Sequence, residues 1–127
     1  MALNPPLTPS GEPCRVEGEL FILQRKGIEY EIKCKGVKKV TGKGELVLTT
    51  ARTVLINHKK SADIKAVDLP LAYIFSDKFE QPIFGANYYK GTCKPLFNML
   101  PDDLHFKIWF MEGGCGRFLK CFRIAVE

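Results

Sequence analysis

The alternation of apolar and polar residues predicts an antiparallel hairpin in the middle of this chain. Two short apolar runs, residues 45–48 and 53–56, are separated by four polar or small residues. Two such runs with a short connection are typical of a hairpin. Successive side chains of a strand point to opposite faces, so four residues are predicted to share one core side: Leu46, Leu48, Val54 and Ile56. Val47 and Leu55 are also apolar, which predicts that both faces are partly covered, as in a strongly curved sheet or barrel.

Other segments show the same two-residue period. Ile28, Tyr30, Ile32 and Cys34 alternate with charged residues, which predicts a half-buried strand with a charged outer face. A preceding strand is predicted at residues 20–24, with a tight turn at 25–27 in which Gly27 can adopt a positive φ. A basic loop is predicted over residues 36–43. Further strands are predicted at residues 64–69, 71–79, 86–94 and 104–111, with a turn at 61–63, a bend at 81–85 and a loop at 95–103.

After Gly113 and Gly114 the period of the apolar residues becomes helical. Five residues recur at the i, i+3, i+4 spacing of one helix face: Cys115, Phe118, Cys121, Phe122 and Ala125. The basic residues Arg117, Lys120 and Arg123 lie mainly on the opposite side. This pattern predicts an amphipathic helix of roughly three turns that begins near Cys115 or Gly116. Phe118 and Phe122 are predicted to be buried where the helix covers an open end or edge of the sheet.

Together these segments predict a mainly β fold. About seven antiparallel strands would form a two-sheet sandwich or a partly open barrel, capped by the C-terminal α-helix. A chain of 127 residues is long enough for one domain with a core of its own. Residues 1–18 contain four of the eight prolines and are predicted to be an extended N-terminal arm, and the domain is predicted to occupy residues 19–127.

Composition argues against several classes of protein. A hydrophobic content of 46% with 11% aromatic residues argues against general disorder. No apolar run approaches the ~20 residues of a membrane-spanning helix, so no transmembrane segment is expected. The first residues have neither a basic nor an apolar signal region, so no secretory signal is expected. Five cysteines without a Cys-x-x-Cys pair fit reduced thiols. We therefore expect a cytoplasmic location, with a nuclear or peripherally membrane-associated one as alternatives.

The net charge of +5 is concentrated in residues 24–43. This segment contains two acids, Glu29 and Glu31, and seven bases: Arg25, Lys26, Lys33, Lys35, Lys38, Lys39 and Lys43. Such a patch attracts phosphate-bearing lipids, nucleic acid or an acidic protein partner, and the alternative is a solvated face that aids solubility. A strand between its two ends would span about 25 Å, so a broad surface or two clusters are expected instead of one pocket.

The sequence offers little support for catalysis. His58 and His105 are far apart in the chain, and neither has metal-ligand spacing with a cysteine. No serine lies in a nucleophile elbow, and residues 113–116 lack the Lys-Ser/Thr ending of a phosphate loop. The pair Asp102 and Asp103 is better interpreted as helix-capping or solvent-facing charge. We therefore expect no enzymatic activity, no cofactor and no metal site.

Several motifs resemble a known family. The run from Gly44 to Val54 resembles the Gly-x-Leu-x-Leu-Thr-x-x-Arg-x-Val core of GRAM domains. Residues 69–71, 81–92 and 106–114 are similar to the GRAM region of the WW-domain-binding protein 2 family, and the first five residues resemble its plant members. The resemblance covers roughly residues 19–127. It implies a pleckstrin-homology-like fold and a non-enzymatic role in binding membrane lipids or proteins.

The resemblance also marks residues of a structural signature, Gly44, Thr49 and Arg52, beside the predicted helix residues Phe118 and Phe122. An arginine at a hairpin turn is either a ligand contact or a structural clamp, and its guanidinium fork favours the clamp. Animal members of the family carry a proline-rich tail with Pro-Pro-x-Tyr motifs that bind WW domains. In this chain Pro5-Pro6 is followed by Leu7-Thr8. The resemblance is therefore to a plant-like member without that tail, and no WW-domain binding is expected.

Three classes of function remain open at this point. The first is a peripheral, adaptor-like module that binds an anionic membrane lipid, such as a phosphoinositide, or a protein. The second is a nucleic-acid-binding small barrel, in which Tyr88, Tyr89 and Trp109 would stack on bases. These aromatic residues are not interleaved with the basic segment, and the chain lacks an RNA-binding fingerprint, so nucleic acid is not the expected partner. The third is a scaffold that only contacts proteins.

Overall fold

Eight strands and one helix make up the regular structure in the computed structural model, which describes residues 2–3, 5–59, 62–95 and 102–126. The elements are β1 (Ala2–Leu3), β2 (Phe21–Cys34), β3 (Val37–Thr49), β4 (Arg52–Asn57), β5 (Ala66–Pro70), a 3₁₀ turn (Leu71–Tyr73), β6 (Ile74–Glu80), β7 (Tyr88–Cys93), β8 (Leu104–Phe110) and α1 (Cys115–Val126). The strands form one antiparallel sheet in the order β1-β5-β4-β3-β2-β8-β7-β6. The predicted mainly β fold with a C-terminal helix is confirmed.

β2 holds the two halves of this sheet together. Over residues 28–34 it pairs with β3 on one side and with β8 on the other, whereas residues 21–25 pair with β3 alone. The strands at the two ends of the order, β1 and β6, do not pair with each other. Because the sheet curls around its core without closing, the observed form is the partly open barrel of the two predicted alternatives.

Two predictions about β2 and the first part of β3 are wrong. The tight turn expected at residues 25–27 is a bulge inside β2, where the register shifts between Arg25 and Ile28 and Gly27 has a φ of 69°. The basic loop expected at residues 36–43 is the first part of β3. Its lysines and glycines hide the two-residue period. Gly42 lies directly opposite Tyr30, whose ring would collide with a side chain on Gly42, so the pair fits only because this position is glycine.

The predicted hairpin is present as β3 and β4, but its register differs from the prediction by one residue. Leu46 pairs with Leu55 and Val47 pairs with Val54. Leu46, Leu48 and Leu55 therefore face the main core. A second apolar cluster lies on the opposite face, where Val47, Val54, Ile56 and Ala66 pack against Leu7 and Phe21. The expectation that both faces are covered is thus correct, and the N-terminal arm supplies part of the second cover.

The helix α1 closes the open side of the barrel. Phe118 and Phe122 are 0% and 5% exposed. The ring of Phe118 lies 5.4 Å from the rings of both Tyr89 and Phe110, and the ring of Phe122 lies 5.5 Å from Tyr89. Each buried phenyl group contributes about 1.5–3 kcal/mol relative to exposure. The helix is therefore part of the core and not an appendage.

The remaining segments follow the predictions with shifted boundaries. The strand expected at residues 71–79 begins with the 3₁₀ turn, because Pro70 ends β5 and the backbone then bends before β6. β5 and β7 are shorter than expected, whereas β8 closely matches the predicted strand. Residues 96–101 of the predicted loop at 95–103, and residue 61 of the predicted turn, lie outside the described residues.

Candidate functional site

One face of the sheet carries most of the candidate binding residues. Inward side chains such as Ile28, Tyr30 and Ile32 are buried, so their neighbours in β2 point outward. The strand pairing places Glu29 opposite Trp109 and Glu31 opposite Lys107. The outer sheet face is defined by twelve outward residues of β3, β2, β8 and β7: Lys39, Thr41, Lys43, Glu29, Glu31, Lys33, His105, Lys107, Trp109, Tyr88, Lys90 and Thr92.

Ion pairs connect charged residues on this face, one of them within β2 and two of them between β2 and β3. Lys33 and Lys39 lie 3.1 and 3.9 Å from the carboxylate of Glu31. Lys43 lies 3.2 Å from Glu29. The hydrogen bond from Lys33, together with the charges of Lys33, Lys39 and Lys107, outweighs the effect of burial and lowers the pKa of Glu31. The three paired lysines are exposed, and exposed pairs contribute only about 0–1 kcal/mol, so their ammonium groups can exchange these partners for a ligand.

Four of the seven predicted bases gather at one end of this face. Lys33, Lys35, Lys38 and Lys39 surround the short connection between β2 and β3, and we call this group the basic turn. Lys33, Lys35 and Lys39 line a hollow of about 310 Å³ together with Cys34 and His105. Asp102 and Asp103 precede β8 at the same end, where the backbone carbonyl of Asp102 accepts a hydrogen bond from Cys34. The four lysines outnumber the three acids at this end, Glu31, Asp102 and Asp103, so the basic turn retains a small excess of positive charge.

The other predicted bases lie elsewhere. Arg25 is at the opposite end of β2, where its Nη2 donates a hydrogen bond of 3.3 Å to the carbonyl of Gly113. Its guanidinium packs so closely on Gly114 that a side chain there would collide with it. Arg25 therefore links the β2 bulge to the start of α1. Lys26 is exposed beside Glu112, and Lys43 lies between the two ends, so the seven bases do not form a single pocket.

A groove of about 600 Å³ crosses the outer sheet face near Trp109. Glu29, Thr41 and Lys43 line it from β2 and β3, and Pro82 and Phe84 line it from the β6–β7 loop, residues 81–87. Tyr88, Trp109 and Met111 are also among its lining residues. The rings of Tyr88 and Trp109 are 6.0 Å apart, and Nζ of Lys107 lies 5.4 Å from the centre of the Tyr88 ring. The sequence predicted a bend at residues 81–85 and a family resemblance over residues 81–92, but not this groove.

The apolar tip of this loop, Ile83 and Phe84, is the signal that sequence reasoning missed. The two side chains are 93% and 89% exposed. The seven loop residues carry no charge, and Gly85 has a φ of 96°, which lets the chain turn back toward β7. Two adjacent bulky apolar residues in an uncharged loop are unusual on a water-exposed protein surface and mark a candidate binding surface.

The signature residues Thr49 and Arg52 belong to a buried polar network on the other side of the hairpin. Arg52 donates from Nε to Glu19 Oε2 at 2.8 Å, from Nη1 to Asp68 Oδ2 at 3.2 Å, and from Nη2 to the carbonyl of Cys14 at 2.7 Å. The Thr49 hydroxyl donates to Glu19 at 2.6 Å and accepts from the backbone N–H of Arg52 at 3.0 Å. All three guanidinium nitrogens are engaged, which favours the clamp interpretation of Arg52.

Burial and ion pairing shift the pKa values of this network in opposite directions. Burial alone would raise the pKa of Glu19, but hydrogen bonds from Arg52 and Thr49 outweigh it and lower that pKa. Burial would lower the pKa of Arg52, and the carboxylates of Glu19 and Asp68 raise it instead. For Asp68 burial dominates and raises the pKa. The Arg52–Glu19 pair is therefore the charged centre of the clamp.

The third signature residue, Gly44, has a steric role in the hairpin. It pairs with Asn57, and a Cβ atom built on it would lie 1.8 Å from the carbonyl oxygen of Ile56. No side chain fits that distance without a shift of the backbone. Gly44 thus allows β3 and β4 to approach closely at the end of the hairpin.

A metal cluster and a membrane-spanning helix are both absent from the part of the chain that the structure describes. There, no three His, Cys, Asp or Glu side chains are placed to hold a metal ion. Among the same described residues, no helix has the length and apolar content needed to cross a bilayer.

Comparison with known proteins supports both the fold and a family relationship. The chain is 36% identical over 122 aligned residues to a UPF0664 stress-induced protein of Schizosaccharomyces pombe, covering 87% of this chain and 70% of that protein. It is 32% identical over 81 residues to human WW domain-binding protein 2, covering 63% of this chain and 31% of that protein. The structure is similar to the Vps36 N-terminal PH domain, with a TM-score of 0.70 at 18% identity over 94% of this chain and 87% of that one. No protein-family model matches the chain.

Proposed function

The chain belongs to the UPF0664 family, and we propose that it is a non-enzymatic, GRAM-type module that attaches peripherally to anionic membranes. The observation that carries the proposal is the basic turn, where Lys33, Lys35 and Lys39 converge with His105 around one hollow. A pleckstrin-homology fold and a relationship to WW domain-binding protein 2 support a binding module in general. The attachment site proposed is the basic turn, with Lys43 as an outlying contributor.

The lysines of the basic turn are accessible to the headgroups of a membrane. The side chain of Lys33 is 62% exposed and that of Lys39 is 53% exposed, so each ammonium group can reach a lipid phosphate without first being uncovered. Each basic residue near an anionic bilayer contributes about 1 kcal/mol. Four of them give weak, reversible attachment that salt weakens. Such a module would work in the cytoplasm or nucleus, next to a membrane surface.

Vesicle sedimentation tests the proposal. The wild-type chain should bind phosphatidylcholine vesicles that contain phosphatidylserine or a phosphoinositide, and binding should weaken as salt increases. Replacing Lys35, Lys38 and Lys39 with Glu should abolish binding without lowering the melting temperature. The matched control carries Glu at the exposed residues Lys59, Lys78 and Lys120, which changes the net charge equally. Equal loss of binding in both variants would overturn the assignment of the site.

A protein partner is the second candidate, and the groove near Trp109 is the observation that favours it. Aromatic side chains and methionine are enriched at protein interfaces, and this groove has Trp109, Tyr88, Phe84 and Met111. A partner pull-down with Trp109→Ala against wild type tests this candidate. Binding to single-stranded oligonucleotides, measured beside the vesicles, tests the nucleic-acid alternative, since salt dependence alone does not separate the two.

A further inference from the structure

The exposed pair Ile83 and Phe84 lies outside the basic turn, to which membrane attachment is assigned above. The pair stands at the tip of the β6–β7 loop, and Phe84 and Pro82 form one side of the groove on the outer sheet face. Leaving two such side chains in water is unfavourable compared with a buried position. A surface that covers them would recover this free energy.

We infer that Ile83 and Phe84 form an apolar wedge that inserts into the interfacial region of a bilayer while the outer sheet face lies against it. This inference rests on the proposed membrane attachment and adds a second, hydrophobic component to it. Glu29 and Glu31 line the groove itself, but the outer sheet face around it carries five lysines against these two glutamates, and this excess of positive charge favours an anionic bilayer as the occupant. Lys43 lines the same groove as Phe84, and its side chain is 82% exposed. Lys107 lies over Tyr88 and Trp109.

The arrangement of side chains matches the layers of a membrane interface. Apolar side chains belong at the depth of the acyl chains, while Trp and Tyr, which are both apolar and polar, favour the headgroup level. Lysines reach the phosphates with their ammonium groups. Here Ile83 and Phe84 protrude, Trp109 and Tyr88 are half-buried beside them, and lysines flank them both. Met111, which is 53% exposed, adds apolar area at the same groove.

The wedge and the basic turn can contact one flat surface together. Glu29 pairs with Trp109 next to the groove, and Lys33 pairs with His105 at the basic turn. These two positions are four residues apart along β2, or about 13 Å at the usual rise of a strand. A bilayer is flat over that distance. Electrostatic attraction at one end and apolar insertion at the other therefore define one orientation of the sheet on the membrane.

The chain contains its own reporter for this orientation. Trp109 is the single tryptophan in the sequence and lines the groove beside the loop. Insertion should shift its fluorescence emission to shorter wavelengths, and lipids brominated along the acyl chain should quench it. The vesicles are phosphatidylcholine with phosphatidylserine, and pure phosphatidylcholine vesicles serve as the uncharged comparison.

The test variant carries Ser at Ile83 and Phe84. We expect its partition onto the anionic vesicles to fall about tenfold or more, with loss of the Trp109 shift and of the quenching. Its control carries Ser at Leu20 and Ile124, which are 62% and 63% exposed and lie outside the groove. The control should behave as wild type, and both variants should keep the wild-type melting temperature.

The outcomes separate the two proposals. If wild type binds neither kind of vesicle, the proposed membrane attachment fails and the wedge fails with it. If wild type binds anionic vesicles but Trp109 neither shifts nor is quenched, and the test variant binds as well as its control, then the attachment stands and the wedge is overturned. In that case the apolar tip is left for a protein partner.

Discussion

Arg52 and Glu19 are joined side by side by two hydrogen bonds, from Nε to Oε2 at 2.8 Å and from Nη2 to Oε1 at 3.2 Å. Glu19 is 3% exposed and Arg52 is 9% exposed, so the pair is buried. The contact connects the segment just before β2 to the hairpin. Its strength can be measured through the free energy of unfolding.

Replacing Arg52 with Ala should lower the free energy of unfolding by about 3–5 kcal/mol, because it leaves the Glu19 carboxylate buried without its partner. Chemical denaturation measures the change. Arg117→Ala, at an exposed helix position, is the control and should change stability little. If Arg52→Ala keeps wild-type stability but loses vesicle binding, Arg52 is a ligand contact and not a clamp.

Acid should destabilise the fold through Glu19. Its pKa in the folded protein is below the ordinary value of 4.5, so its carboxylate stabilises the fold above that pH. This contribution is lost as the pH falls through the folded pKa. Asp68 acts in the opposite direction, because its raised pKa makes its contribution more favourable as the pH falls. Glu19→Gln should therefore flatten the loss of stability below pH 4.5. Denaturation curves at several pH values measure this change, with the exposed Glu17→Gln as a control. If Glu19→Gln loses stability in acid as steeply as wild type, Glu19 is not the source of the acid sensitivity.

Removing the ring of Phe118 should open a cavity between α1 and the sheet. Phe118→Ala should lower the free energy of unfolding by about 3–5 kcal/mol, since the ring is fully buried against Tyr89 and Phe110. The comparison variant is Ile124→Ala on the exposed side of the same helix. Thermal melts of the two variants that agree within error would show that the helix does not complete the core.

Two glycine substitutions should have opposite effects. Gly44→Ala places a Cβ atom against the carbonyl of Ile56 and should cost several kcal/mol, on the order of the largest single-residue effects. Gly116→Ala has no atom within 4 Å of the new Cβ and should raise stability by about 0.4–1 kcal/mol. Urea denaturation compares the two. A tolerated Gly44→Ala would mean that β3 and β4 can separate without cost.

The sequence predicted elements best where one face of a strand is polar. In β8, Leu104, Phe106, Ile108 and Phe110 are buried and alternate with less buried residues, so its pattern is unambiguous. In the hairpin both faces are apolar, and nothing in the pattern distinguishes one register from the next. The prediction missed the first part of β3 for the opposite reason. Its lysines and glycines carry no apolar signal, and its pairing with β2 makes it a strand.

The candidate site was predictable only in composition. The count of bases in residues 24–43 identified a charged region, but the separation of Arg25 from the basic turn depends on how β2 runs through the barrel. The groove could not be derived, because Phe84 and Lys43 are distant in sequence and meet only when the β6–β7 loop lies over the outer sheet face. The partners of Arg52 were equally hidden, since Cys14 belongs to the arm and Glu19 follows directly after it, both far from Arg52 in sequence.

The double pairing of β2 has a consequence for the way the protein opens. Between residues 28 and 34 this strand has a neighbour on each side, and its inward side chains form part of the main core. Neither half of the sheet can detach without breaking that strand's ladder, so the two halves share one cooperative unfolding transition. Backbone amide protons of these residues should exchange with solvent only when the whole molecule unfolds. Those of β6, at the edge of the sheet, should exchange through local openings.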